Sequence, residues 1–330
     1  MGLIASGFIG FSTALLFAYI LYWLDRYEKE PLLLLGGVFI WGAVIAAGSA
    51  FLINTTLGLG IYVFTNSSFA SDFATGSFIA PLVEESLKGM AVLAVFLVFR
   101  NEFDSVLDGI IYAGVAALGF AATENTYYIY TYGFQESGWS GLLGMTFIRT
   151  VLVGWQHPFY TAFFGIGLAT ARLNKNWFVK ILTPVLGLSI GMFTHGFHNT
   201  MALFLPDGWV GLAIGTAIDW SGWLLMLGII TWATWREGQN LKKYLAAEVQ
   251  AKTITPSHYH TACSAWLQMF ARTAAIFTGK YFKTARFYQV CGEYAHKRRQ
   301  YATLGDEGGN LATLQKLRVE MAQLAPYVQV

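Results

Sequence analysis

Glu84, Glu85 and Lys88 lie within five positions of one another in the run Ala80-Pro-Leu-Val-Glu-Glu-Ser-Leu-Lys-Gly-Met90, inside an otherwise apolar stretch from Phe78 to Phe99. That stretch is about the length of a bilayer-spanning helix, roughly 20 residues. A charged group at the bilayer centre costs from ~2.5 to more than 10 kcal/mol. Three such groups so close together need partners, and later apolar stretches offer them: Glu124, Arg149 with His157, and His195 with Asn199. Carboxylates and imidazoles held in a low dielectric can accept a proton from water, bind a metal or relay protons. The chemistry these residue types suggest is hydrolysis inside the bilayer.

Their spacing says which side chains share a face. Glu84 and Lys88 are four apart, which predicts an intrahelical ion pair with the acid on the favourable N-terminal side. Glu85 is turned ~100° away and needs a partner of its own. His195 and Asn199 repeat the four-residue spacing, with His198 beside them; so do His157 and Thr161, and Arg149 lies eight residues before His157. Within the apolar stretches Glu84, Glu85, Glu124 and Asp219 outnumber Lys88 and Arg149 by two. Either a divalent metal or two protons would balance that surplus. No His-Glu-x-x-His motif is present, so spacing alone leaves both open.

The elements that must carry these residues are read from hydropathy. Hydrophobic residues make up 55% of the 330-residue chain, charged residues 12%, and mean hydropathy is +0.49. Soluble domains carry roughly 25% charged residues, so this is membrane composition. Seven apolar stretches run over 2–24, 32–53, 78–99, 109–132, 142–171, 181–205 and 209–235. They predict an all-α, polytopic transmembrane helix bundle of about seven spans. Pro158 predicts a kink in the long fifth stretch. Asp108 is placed to cap the fourth. Gly187-x-x-x-Gly191 and Gly211-x-x-x-Gly215 read as close helix contacts.

Basic residues occupy alternate connections: Arg26 and Lys29, then Arg100, then Arg172, Lys175 and Lys180, and finally the tail. Positive-inside placement then puts the N-terminus outside and the tail in the cytoplasm. With this orientation Glu84, Glu124, His195 and Asn199 fall roughly 9–15 Å below the outer surface at ~1.5 Å per residue. Residues 1–235 carry a net charge of −5 and residues 236–330 one of +7. The expected division is a membrane domain over 1–235 and a basic, helical cytoplasmic tail over 236–330. Within the tail, 305–310 reads as a loop between helices. The aromatic and basic stretch 266–288 could touch inner-leaflet lipid, and no base-reading motif suggests nucleic acid. His258, His260 and His296 read as surface residues. Cys263 and Cys291 suggest neither a disulfide framework nor a metal motif.

The motifs Glu84-Glu85-x-x-Lys88, Phe120-x-x-x-Glu124-Asn125, Arg149 followed by His157-Pro158, and His195-x-x-x-Asn199 together resemble the PrsW family of intramembrane proteases, relatives of the CAAX-processing membrane proteases. Asp25-Arg-Tyr-Glu-Lys-Glu-Pro31 is similar to that family too, and the likeness runs over roughly 15–205. It implies a peptidase of a prokaryotic inner membrane that cuts a membrane-anchored protein. In that reading Glu84 or Glu85 activates water and Asn199 donates to the oxyanion. Glu124, His157 and His195 hold a divalent metal, expected to be zinc, or orient the water, and Lys88 and Arg149 tune the carboxylates. Two other readings compete. Intramembrane Glu and His also build proton relays of ion-coupled transporters, although no internal repeat is visible. A non-catalytic receptor or scaffold signalling through the tail is the third.

Overall fold

The structure, a computed structural model, describes residues 1–328; the last two residues of the tail, 329–330, lie outside it. The architecture is all-α, with no strand among the described residues. Among the described residues, eight helices make up the first 250 positions: α1 (Gly2–Leu24), α2 (Leu32–Thr65), α3 (68–98), α4 (106–134), α5 (139–152), α6 (Gln156–Arg172), α7 (Trp177–Phe204) and α8 (Trp209–Gln250). The tail adds α9 (Pro256–Ala262), α10 (Ala265–Phe277), α11 (Tyr281–Leu304) and α12 (Asn310–Leu324).

Five helical stretches are long and apolar enough to cross a bilayer: Gly2–Leu24, Leu32–Thr65, Val106–Arg172, Trp177–Phe204 and Trp209–Gln250. The third of these reverses at Ser137 and Gly138, where Gly138 takes φ 61°, so it contributes two antiparallel legs. The stretch around Glu84 is helical but stands outside the five. The helices outrun the apolar stretches that signal them. α2 continues to Thr65, past the expected end at 53, and α3 begins ten residues before 78. The fifth stretch is not one kinked helix: helical geometry lapses at 153–155, and Pro158 sits in the first turn of α6, where its missing N–H costs nothing. Ser105, not Asp108, caps α4. Its hydroxyl accepts from the amides of Leu107 and Asp108, and Asp108 completes the capping box by accepting from the Ser105 amide at 2.6 Å.

Local sequence also shapes α3. Pro81 has no N–H to offer the carbonyl of Ser77 four residues earlier. The chain widens there into a π-helical turn, Thr75–Ile79, and the Ser77 carbonyl lies against Gly196 of α7. The neighbouring Gly76 carbonyl accepts a hydrogen bond from the Asn199 side chain at 2.9 Å.

Small residues set the helix spacing. α4 and α6 run antiparallel and touch backbone to backbone at Gly109 and Gly165, where a Cβ on either would collide with the other's carbonyl. Gly187 and Gly191 bring α7 equally close to the backbone of Phe163 and Tyr160 on α6. Gly211 and Gly215 instead pack against Pro206 and Leu205 in the turn before α8, a local contact rather than a helix seam. Gly165→Val is expected to force α4 and α6 apart and destabilise the fold by about 1–3 kcal/mol, the usual cost of overpacking. Gly144→Val, at a position with open space around it, should be neutral in the same detergent unfolding experiment.

Two large hydrophobic cores follow, beside a small cluster of Ala46, Ala47 and Ala50 of α2 around Phe120 of α4. One gathers α1, α2, α3, α4, α6 and the stretch of α8 up to Ala233. The other gathers Leu241 and Leu245 of α8, the tail helices and Tyr27. α8 runs unbroken through both over 42 residues, about 63 Å at 1.5 Å per residue. Two tail features differ from expectation: His258 and His296 are buried, and only His260 is exposed. The 305–309 turn between α11 and α12 lies where expected.

Candidate functional site

Charged and imidazole side chains from α3, α4, α5, α6 and α7 form one contiguous network. Lys88, fully buried, lies 2.5 Å from Glu85 Oε1 and 4.0 Å from Glu84 Oε2. The expected pair with Glu84 is present but long, and the close contact is made at the three-residue spacing with Glu85. Phe120 of α4 lies under the ammonium at 4.5 Å, a favourable cation–π arrangement.

Glu85 is saturated. Its Oε1 takes Lys88 and also His195 Nδ1 at 2.8 Å, and its Oε2 accepts from the Thr161 hydroxyl at 2.7 Å. Glu84 is not. Asn54 donates to its Oε1 at 3.2 Å, while buried Oε2 has no hydrogen-bond partner among the described residues and lies 3.9 Å from His195 Nε2. Glu124 pairs with Arg149 through Oε2, and the same oxygen lies 2.8 Å from His157 Nε2. Arg149 also donates to the Asn125 side chain at 2.8 Å. Nδ1 of His157 faces Lys88 at 3.3 Å.

Each imidazole thus has one nitrogen on a carboxylate, His195 on Glu85 and His157 on Glu124. His195 is oriented as metal-binding histidines usually are, with Nε2 left for an ion, whereas the second nitrogen of His157 lies against the Lys88 ammonium. One donor atom each from Glu84, His157 and His195 falls within 4.8 Å of the others, and all three residues are buried. The unpartnered Oε2 of Glu84 beside two oriented imidazoles is a donor set suited to a divalent ion of the zinc type.

A polar cavity of about 950 Å³ opens onto this network and is lined by Glu84, Glu124, Arg149, His157, His195 and Asn199 among others. Glu85 and Lys88 do not line it. The break at 153–155 does, through Val153 and Gly154, as irregular backbone at membrane depth requires.

All eight residues singled out by sequence lie in or beside this cluster. Asn199, which lines the cavity, has one amide hydrogen on Gly76. Four other residues belong to the network too. Asn54 holds Glu84, Asn125 holds Arg149, Asp219 lies 2.8 Å from His198 Nδ1, and Tyr160 stacks on His195 at 4.7 Å with its hydroxyl unpartnered among the described residues. Asn54 and Asp219 carried a usable signal, a polar group at membrane depth. The stacking of Tyr160 carried none.

The profile described as "PrsW family intramembrane metalloprotease" matches residues 30–233. The chain belongs to this family. Among its relatives, Protease PrsW of Oceanobacillus iheyensis is 28% identical over 191 residues, covering 58% of this chain and 79% of the other. That of Clostridioides difficile is 32% identical over 176 residues, 50% and 70% of the two chains. That of Geobacillus kaustophilus is 28% identical over 228 residues, 68% and 86%. No solved structure matches. This PrsW-family protein is accordingly an integral membrane peptidase acting on protein, which displaces the transporter and scaffold readings. The family match reaches α8, further than the resemblance read from motifs, and begins at Glu30, so most of the 25–31 segment precedes it.

Proposed function

We propose that the protein hydrolyses a peptide bond in or near the membrane span of an anchored substrate, in a site built around a divalent ion, expected to be zinc. The observation that carries this reading is the unpartnered Glu84 Oε2 facing two imidazoles already oriented by Glu85 and Glu124. Glu84, His157 and His195 would hold the ion. When bound, it would supply positive charge that polarises the scissile carbonyl and acidifies water. This shifts Glu124 from ligand to orienting group and proton acceptor. Both of its contacts fall on Oε2 and the residue lines the cavity, so Oε1 is left for water. Glu124 takes the proton as water adds to the carbonyl and returns it to the departing amine. Asn199, at the cavity wall, donates its remaining amide hydrogen to the oxyanion, a role worth about 3 kcal/mol elsewhere. Lys88 and Arg149 keep Glu85 and Glu124 ionised and in place.

The approach of Lys88 to His157 Nδ1 favours a second reading, in which Glu84 itself takes the water proton with no ion present. Elemental mass spectrometry on purified, dialysed protein separates the two. The first reading expects Glu84→Gln and His195→Ala each to carry one zinc per chain fewer than wild type. Equal metal content in all three would overturn it.

Orientation follows the basic connections: N-terminus outside and tail in the cytoplasm of a prokaryotic cell. The division near residue 235 is supported by the change of core between Ala233 and Leu241. α10 exposes Trp266, Phe270, Ile276 and Phe277, and Arg26, just past α1, lies 5.9 Å from the Trp266 ring. An inner-leaflet contact for this face fits both.

A further inference from the structure

A second charged cluster lies between the membrane helices and the tail, and no step of hydrolysis uses it. Three pieces meet there: the Asp25–Pro31 segment after α1, the connection 99–105 before α4, and α11 of the tail. The segment is gripped from the tail side, because Gln289 of α11 both accepts from the Lys29 amide at 2.8 Å and donates to the Lys29 carbonyl at 3.1 Å.

At the centre is His296 of α11, 1% exposed. Its Nδ1 lies 2.6 Å from Glu28 Oε2 and 2.8 Å from Asp104 Oδ1. A ring nitrogen carries at most one proton, so it cannot donate to both carboxylates. Neither contact has hydrogen-bond geometry: both His296 nitrogens, Glu28 Oε2 and Asp104 Oδ2 are buried without a hydrogen-bond partner among the described residues. Asp104 is itself 3% exposed.

The surroundings hold more acids than bases, although the guanidinium of Arg299 acts on Asp104 and Glu237. Asp25, Glu30, Asp108 and Glu237 are also buried. Of the nearby ammonium groups, Lys29 is committed to the carbonyls of Tyr22 and Asp25. Lys297 donates to the Asn101 carbonyl and Gln300 and reaches Asp104 Oδ2 only at 3.6 Å. One donor atom from each of Glu28, Asp104 and His296 lies within 4.8 Å of the others.

We infer that Glu28, Asp104 and His296 form a second divalent-cation site, separate from the hydrolytic cavity, which clasps the tail to the two connections beneath the membrane helices. One imidazole and two carboxylates suit a first-row ion such as zinc or manganese. None of the three residues lines the polar cavity, so the ion is structural. The inference does not depend on how peptide hydrolysis is carried out.

The test uses the full chain in detergent with Glu84→Gln and His195→Ala together, which removes the donors of the first cluster. After dialysis and reloading with zinc alone or manganese alone, elemental mass spectrometry should find one ion per chain. Asp104→Asn or His296→Gln in that background should abolish it. Wild-type protein supplies a readout that needs no variant. Chelation should speed hydrogen exchange in 281–304 and 99–105, and zinc should restore protection. A background protein that takes up neither ion, an ion retained after both Asp104→Asn and His296→Gln, or exchange unchanged by chelation would each overturn the inference and leave an imidazolium between two carboxylates.

Discussion

Glu84→Gln is expected to stop cleavage of a membrane-anchored substrate, with a loss of about 10³-fold or more, since the change removes an oxygen from the reacting centre. The fold should survive. Glutamine keeps the acceptor that Asn54 uses, and the protein loses only an oxygen that has no hydrogen-bond partner. Glu124→Gln is the informative companion. It should also lower the rate, by about 10²–10⁴-fold as for a general base, but keep the ion that Glu84→Gln loses. If metal instead leaves with Glu124→Gln and stays in Glu84→Gln, the ligand set is Glu124, His157 and His195 as the family resemblance implied. Full activity in Glu84→Gln would remove Glu84 from the chemistry altogether. Rates should be read on a reconstituted, membrane-anchored substrate beside metal content from the same preparations.

Lys88→Met should cost about 3–5 kcal/mol of stability, the usual result of stripping one partner from a buried ion pair. Lys88 has no exposure to solvent, and among the described residues no other ammonium or guanidinium pairs with the Glu85 oxygen beside it, which it shares with His195. Glu85→Gln should cost a similar amount by stranding the ammonium. The double variant Glu85→Gln/Lys88→Met removes both charges and should recover most of the loss, because a neutral, well-filled site needs no counter-charge. Unfolding in mixed micelles with rising SDS measures the cycle. Activity should not recover with stability, because His195 then lacks the carboxylate that fixes its ring. Additive losses in the cycle would show that the two side chains do not depend on each other.

The polar core of the site was legible because charge in an apolar stretch is expensive. Glu84, Glu85, Lys88, Glu124, Arg149, His157 and His195 each stood out on that ground, and the structure brings them together. Their pairing was not legible. Lys88 can reach an acid three or four residues back, and only the placement of α7 puts His195 on Glu85 and so selects that acid. The position of Glu124 between Arg149 and His157 likewise depends on how α4, α5 and α6 meet. Pro158 announced an irregularity but not its place, since a proline marks the start of a helix as readily as a kink within one. Hydropathy locates where the apolar part of α8 ends, near Trp235, but says nothing about whether the helix stops there; it continues to Gln250. His296 looked like a surface residue because the charge of a tail helix does not reveal which face docks.

The cavity beside Glu84 has room for some tens of water molecules at about 30 Å³ each. A bilayer interior is short of one of the two reactants that hydrolysis needs, and this cavity offers space for it. The other reactant then sets the difficulty. A substrate span arrives as a helix with its peptide groups bonded to one another. Its scissile carbonyl becomes open to attack only after a local turn is undone, so the ease of unwinding, more than the supply of water, should rank the substrates this protein can cut.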